Sequence, residues 1–325
     1  MNKQLVIQCF IGAVCSILVS YQTAAFGSVY YHGNGGSQSY DESWEPSKKV
    51  PKHSKGSQPL VLVDNAHGNF HTIEQRFKPF AKLLSSDGYA VESTNSIVNK
   101  KLLEQVEIFV IANAIKGGEE SSWKLPIEQA FTAQEKALLT QWVQEGGSLL
   151  LIADHMPFPG AVSELAGEFG FGFINGFALP DYDKRGILGF EKETALLGNH
   201  PIINAVDSNK QIAKVVTFTG QAFTKPDSAI GLLKMPKDWN VYLPKDAWEF
   251  DEATPYLSTN NLYQGAVLKY GKGRVAVFGE AAMFTAQVVK REDSVSRYGL
   301  NHPEAKDNEQ FVLNVMSWLS GSLDN

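Results

Sequence analysis

The residues able to do chemistry in this chain stand where apolar runs stop. Leu62-Val63-Asp64-Asn65-Ala66-His67-Gly68-Asn69-Phe70-His71 ends a hydrophobic run on a carboxylate and follows it with two imidazoles, and Leu149-Leu150-Leu151-Ile152-Ala153-Asp154-His155 repeats the pattern. The run 274–278 stops on Gly279-Glu280, and the run 106–112 on Asn113. Two or three imidazoles with one or two carboxylates suit a divalent metal such as Zn²⁺, here through Asp64, His67, His71 and His155, with an open position for water. Without a metal, His67, Asp154, His155 and Glu280 can act as acid and base, because a nearby carboxylate tunes an imidazole near neutral pH. Each residue also has a structural reading, since Asp64, Asn65 and Gly68 suit a turn and Asn69 or Thr72 a helix cap. The histidine spacing matches no strong zinc pattern, and there is no Gly-x-Ser-x-Gly elbow.

Binding residues are sought beside the same runs. Asn113, Gln221 and Gln287 are polar groups next to apolar segments and can line a pocket or satisfy backbone groups. Trp239 and Trp248 fall with Tyr242, Phe250 and Tyr256 in a segment rich in Pro and Asp. Aromatics of that kind either stack on sugar rings or form a satellite hydrophobic cluster under a long loop.

The elements that must position these groups follow from pattern. Leu60-Val61-Leu62-Val63 predicts a strand buried on both faces in a parallel sheet, with further strands at 89–91, 106–112, 148–153 and 274–278. Ile73, Phe77, Phe80, Ala81 and Leu84 have helical spacing, and Pro79 requires that helix to be kinked or to begin later than Thr72. Thr132-Ala133-Gln134-Glu135 is a capping box opening a helix that stops at Gly146. A helix is predicted over 161–169, and a last one, capped by Asp307, ends at Gly321. Alternation of this kind predicts an α/β fold with helices on both faces of a parallel sheet. The part 173–268 reads as a β-rich insertion with short strands at 215–218, 229–233 and 265–269. In an open parallel sheet, ligands bind outside the carboxyl ends of the strands, where Asp64, Asn113, Asp154 and Glu280 all stand.

Composition sets the class. With 325 residues, 43% of them hydrophobic and 20% charged, the chain has globular composition. Its formal net charge of −6 repels a phosphate backbone, which argues against nucleic-acid binding. Met1-Asn2-Lys3, an apolar stretch over 5–19 and small residues up to Gly27 read as a secretory signal, too short for a membrane span. The expected location is the periplasm or the exterior, with no transmembrane span in the mature chain. Both cysteines, Cys9 and Cys15, lie within that leader, so no thiol is expected in the mature protein. The segment 28–58 is Gly, Ser, Lys and Pro without apolar period and reads as a disordered tether, leaving 59–322 as one domain.

The motifs VDNAHGNFHTIEQRFKPFAKLL, GGSLLLIADHMPFPG and GKGRVAVFGEAAMFTAQ, with the order of elements, resemble an exported bacterial branch of the class I glutamine amidotransferase-like superfamily over about 60–320. The resemblance implies a three-layer, flavodoxin-like core. It does not imply the amidotransferase reaction: where that family carries a nucleophilic cysteine, this chain has Asp154-His155, and His302-Pro303-Glu304, reminiscent of the family's His-Pro-Glu, has no thiol to activate. Two functions follow as expectations. One is an exported hydrolase using His67, Asp154, His155 and Glu280, with or without one metal, on an ester, amide or glycan-linked small-molecule or glycan substrate. The other is a non-catalytic module that binds a carbohydrate, a peptide or a cell-envelope partner. Oligomeric state is not legible.

Overall fold

The structure, a computed structural model, describes residues 37–47, 50–118, 121–180 and 186–323. The expected leader, and the tether as far as residue 36, lie outside them. In chain order the strands are β1 (Ser37–Tyr40), β2 (Leu60–Asp64), β3 (Ala90–Thr94), β4 (Ile108–Ala112), β5 (Ser148–Ile152), β6 (Gly172–Phe173), β7 (Phe177–Pro180), β8 (Ile187–Glu191) and β9 (Lys214–Phe218). They continue with β10 (Phe223–Thr224), β11 (Ile230–Lys234), β12 (Trp239–Tyr242), β13 (Tyr256–Ser258), β14 (Tyr263–Tyr270), β15 (Gly273–Phe278), β16 (Ala286–Arg291) and β17 (Ser294–Gly299). The α-helices are α1 (Lys78–Ser86), α2 (Lys100–Leu103), α3 (Ala133–Glu145), α4 (Phe158–Glu168) and α5 (Asn308–Leu319).

The central sheet runs β3-β2-β4-β5-β15-β14-β10-β6, with β11 also on β14. Its β3, β2, β4, β5 and β15 are mutually parallel, and β14 turns back antiparallel on β15. Alternate residues of each parallel strand part to opposite faces, as a two-residue period requires. Val61, Val63, Ile108, Val110, Leu150, Ile152, Ala276 and Phe278 pack with Phe80 and Leu84 of α1 and Phe311 and Val315 of α5. Leu62, Phe109, Ile111, Leu149, Leu151, Val275 and Val277 pack with Leu139 of α3 and Leu165 of α4. Burying each of the Val, Leu, Ile and Phe side chains among these stabilises by about 1.5–3 kcal/mol. The fold is thus mixed α/β with a largely parallel central sheet, to which antiparallel sheets are added: β1-β16-β17, β13-β12-β7 and β8-β9. None of the helices is long and apolar enough to cross a membrane, among the described residues.

Several local expectations meet specific outcomes. Pro79 falls in the first turn of α1, where its missing N–H has no partner to lose, so the helix begins after Thr72 instead of kinking. The Thr132/Glu135 capping box forms as predicted. Asp307 occupies the N-cap of α5 but makes no cap bond; its carboxylate accepts from the backbone N–H of Ala213 and Lys214 and so ties down the start of β9. The tether expectation is corrected over its described part. β1 pairs with β16 along its length, Trp44 packs on the core, and the N–H groups of Lys52 and His53 both reach the carbonyl of Asp87. A backbone ladder needs no apolar period, which is why composition misjudged it. The hairpin β16–β17 that receives β1 also has no counterpart among the predicted elements.

Candidate functional site

β2 ends on Asp64, fully buried. The loop after it turns back at once, since Gly68, with φ of +61°, lies so close to the carbonyl of Ile115 that a Cβ would clash. The turn carries His67 between two carboxylates. Nδ1 lies 3.0 and 2.9 Å from the two Asp64 oxygens, and Nε2 lies 2.9 Å from Glu135 Oε1. Both ring nitrogens therefore donate, and the ring stacks on Phe131 at 3.9 Å. Burial works against the charge on His67, but Asp64 and Glu135 outweigh it and raise its pKa. Glu135 is in turn held below its ordinary value: burial raises it, and the bonds from Thr132 and His67 prevail. Asp64 also accepts from the Ala66 N–H and from Asn69 Nδ2, while Asn69 Oδ1 accepts the Ala112 N–H at 2.9 Å. Glu135 additionally accepts from Val98 N and from Thr132 N and Oγ1.

A second group gathers one strand further on. Asn113 follows β4 at φ +59°, a left-handed conformation that asparagine tolerates better than most residues. Its Oδ1 accepts the Asp154 N–H at 2.8 Å, which fixes the amide, so Nδ2 donates to His71 Nδ1 at 3.0 Å. The His71 proton then sits on Nε2, a buried atom without a hydrogen-bond partner. Burial, with help from Arg76 and His155, lowers the His71 pKa to about 3, so the ring is neutral.

Asp154 and Glu280 lie two residues beyond Ile152 and Phe278, which are register partners on adjacent parallel strands. Both are buried. Glu280 accepts the N–H groups of Ala282 and Met283 at 2.6 and 2.8 Å, and Asp154 accepts those of His155 at 2.8 Å and Ala281 at 3.4 Å. Burial pushes both carboxyls up, and the charge of Asp154 lifts Glu280 well above the usual range. The pair therefore keeps a proton to higher pH than a lone carboxylate would. His155 donates from Nδ1 to the Met156 carbonyl at 2.7 Å, which leaves a lone pair on Nε2. Its ring stacks on Phe177 at 4.7 Å and meets the edge of Trp248 at 4.5 Å. Trp248, at φ +68°, forms part of the wall of a cleft of about 650 Å³ together with Leu243, Asp246, Phe250, Asp251 and Pro255.

The strand ends thus bring the expected residues together as two networks instead of one. The proposed metal set is not assembled: Asp64 and His67 are committed to each other and to Glu135, and His71 and His155 bond elsewhere. Among the described residues, no group of three or more His, Cys, Asp or Glu side chains is arranged to hold a metal ion. Gln221 is buried and spends its amide on the Ala153 carbonyl and the Ile174 N–H, which makes it a strut. Gln287 lies in the β1-β16-β17 sheet with its carboxamide oxygen taken by Gln38. Trp239 is buried in the core on β12 and offers no face to a sugar. His302 packs on Phe218 and accepts the Glu304 N–H. Glu135, read from sequence only as a cap, is the residue whose part in the first network was missed. Its capping-box signal was visible, but its bond to a histidine 68 positions earlier was not.

No protein-family model matches the chain, and no curated protein is similar to it in sequence. Among solved structures, the mmIFT52 N-terminal domain is similar at a TM-score of 0.56 and 16% identity, covering 80% of this chain and 97% of that one. A thua-like protein from Parabacteroides merdae ATCC 43184 gives a TM-score of 0.42 at 11% identity, covering 82% of this chain and 92% of that one. Another, from Bacteroides uniformis ATCC 8492, gives 0.40 at 10%, covering 82% and 94%. At these identities the first likeness speaks of a shared fold and of no activity.

Proposed function

We propose that the chain is an exported hydrolase whose acid–base centre is Asp154, His155 and Glu280, acting on an ester, amide or glycan-linked substrate held in the cleft beside Trp248. The observation that carries this reading is the buried carboxyl pair at the carboxyl edge of the sheet, both members shifted up. Titratable groups perturbed in this way concentrate at functional sites. His155 Nε2 takes a proton from water, and the protonated member of the carboxyl pair gives one to the leaving group. The parallel strands, numbered among themselves, run 2-1-3-4-5, the flavodoxin-like order. With the quoted motifs, that order supports a place in a cysteine-free branch of the class I glutamine amidotransferase-like superfamily, and the leader-like 1–27 supports export.

A second reading, a non-catalytic binding module for a glycan, peptide or envelope partner, is favoured by one observation: every polar atom of Asp64, His67 and Glu135 contacts the protein itself. A panel of chromogenic esters, amides and glycosides tests the two. Turnover that falls about 100-fold or more in Glu280→Gln and His155→Ala, with folding intact, supports the hydrolase. Absence of turnover in the wild-type chain, with glycan binding abolished by Trp248→Ala, establishes the binding module in its place.

A further inference from the structure

β13 forms one edge of the sheet β13-β12-β7, and among the described residues it has no strand on its outer side. The Leu243 N–H donates to the Pro255 carbonyl and the Thr259 N–H to the Trp239 carbonyl. By the alternation of an antiparallel ladder, Leu257 therefore exchanges its bonds with Val241, and Tyr256 and Ser258 turn their N–H and C=O groups outward. The apolar face of the sheet also runs out at this edge. Val241 is fully buried, while its register partner Leu257 is 47% exposed and Tyr256 beside it 60%. Sheet edges are ordinarily guarded by charged side chains or a bulge, and Tyr256-Leu257-Ser258 carries neither.

The edge continues into the cleft beside Trp248. Pro255, the residue before β13, and its bonded partner Leu243 both line that cleft. Its other walls include Trp248, Phe250, Glu249 and Asp251. Over 245–252, Asp246, Glu249, Asp251 and Glu252 stand against Lys245 alone, and Lys124 offsets Asp246 at 2.7 Å. Glu249 and Asp251 thus keep an acidic field in a cleft with aromatic walls. Such surroundings complement a lysine or arginine side chain, whose apolar stem packs on the rings while its charge meets the carboxylates. When an extended peptide adds a strand to a sheet edge, backbone bonds supply affinity and a pocket of this kind supplies specificity.

We propose that the open edge of β13 and the cleft beside Trp248 together bind an extended peptide, β13 pairing with its backbone and the cleft receiving a lysine or arginine side chain. The inference rests on the cleft of the proposed function and names its ligand class. The full chain is titrated against a fluorescein-labelled peptide, Thr-Val-Lys-Val-Thr-Val, and against its counterpart with Ala in place of Lys, and polarisation is read. The expected result is saturable binding of the Lys peptide, about fivefold or more tighter than the Ala peptide. The double variant Glu249→Gln/Asp251→Asn should erase that preference. Ser258→Pro removes an outward N–H that β12 does not use, and should weaken both peptides about fivefold. Should Ser258→Pro fail to fold, N-methylation of the Lys peptide at alternate residues, in both registers, blocks the same ladder from the ligand's side and should abolish binding in one register. Absence of saturable binding overturns the proposal, as do equal affinities for the two peptides or full affinity in both N-methylated registers. Self-association of the free chain that Ser258→Pro abolishes would give the edge to a second copy and overturn it too. Polarisation reads binding and the chromogenic panel reads turnover, so this inference and the hydrolase reading fail separately.

Discussion

At the scale of residues, the distinction that matters is between carboxylates paired with a histidine and carboxyls buried beside each other. Asp64 and Glu135 flank His67; Asp154 and Glu280 accept a backbone N–H on each oxygen, but two acidic groups share a buried place and burial opposes charge on both. A carboxyl raised in the folded state contributes stability that is full below its ordinary value, 4.5 for Glu280, and is lost as pH rises through the raised value. Glu280→Gln cannot ionise. It should begin less stable than wild type near pH 5, since an amide leaves one of the two backbone N–H groups poorly met, a loss of about 1–3 kcal/mol. Its Tm relative to wild type should then climb steadily as pH is raised to about 9. Parallel pH curves for the two proteins would show that Glu280 does not carry the shift.

At the scale of elements, the first network acts as a clamp. It joins the turn after β2 to the N-terminus of α3 through a charged histidine, and Asn69 extends it to β4. The raised His67 contributes stability that is full below its ordinary 6.5 and lost as pH rises through the folded value. The depressed Glu135 contributes stability present above its ordinary 4.5 and lost as pH falls through the folded value. Both are at full strength between those two ordinary values. Removing one partner of a buried pair strands the others, so His67→Ala should destabilise by about 3–5 kcal/mol in that window and by less at high pH. Thr132→Ala, which removes the cap, should cost about 1 kcal/mol alone. The two losses should fail to add, because Glu135 is shared; urea unfolding of the double variant would reveal strict additivity if the clamp is not a unit.

At the scale of the whole molecule, the segment before β2 belongs to the body. β1 covers the edge of β16, Trp44 packs on the core, and Ser47 bonds to Glu309 of α5 through both its N–H and its hydroxyl. A chain beginning at residue 50 should therefore melt several degrees lower than one beginning at residue 28. It should also associate with itself, since β16 becomes an open edge. Equal Tm values and monomeric sedimentation for both would return the segment to the role of a tether.

The sequence by itself determined the parallel strands, the helices α1, α3, α4 and α5, though not the short α2, and the row of Asp64, Asn113, Asp154 and Glu280 at the strand ends. Those features rest on local period, turn residues and caps, which act within a few positions. Tertiary structure alone decided how that row divides. Glu135 joined His67 across 68 positions, Asn113 coupled His71 to the Asp154 backbone, and Gln221 and Trp239 turned inward as struts and core. It also recruited β1 to the body. Hydrogen-bond partners and burial depend on which distant segments meet, and no local pattern records that.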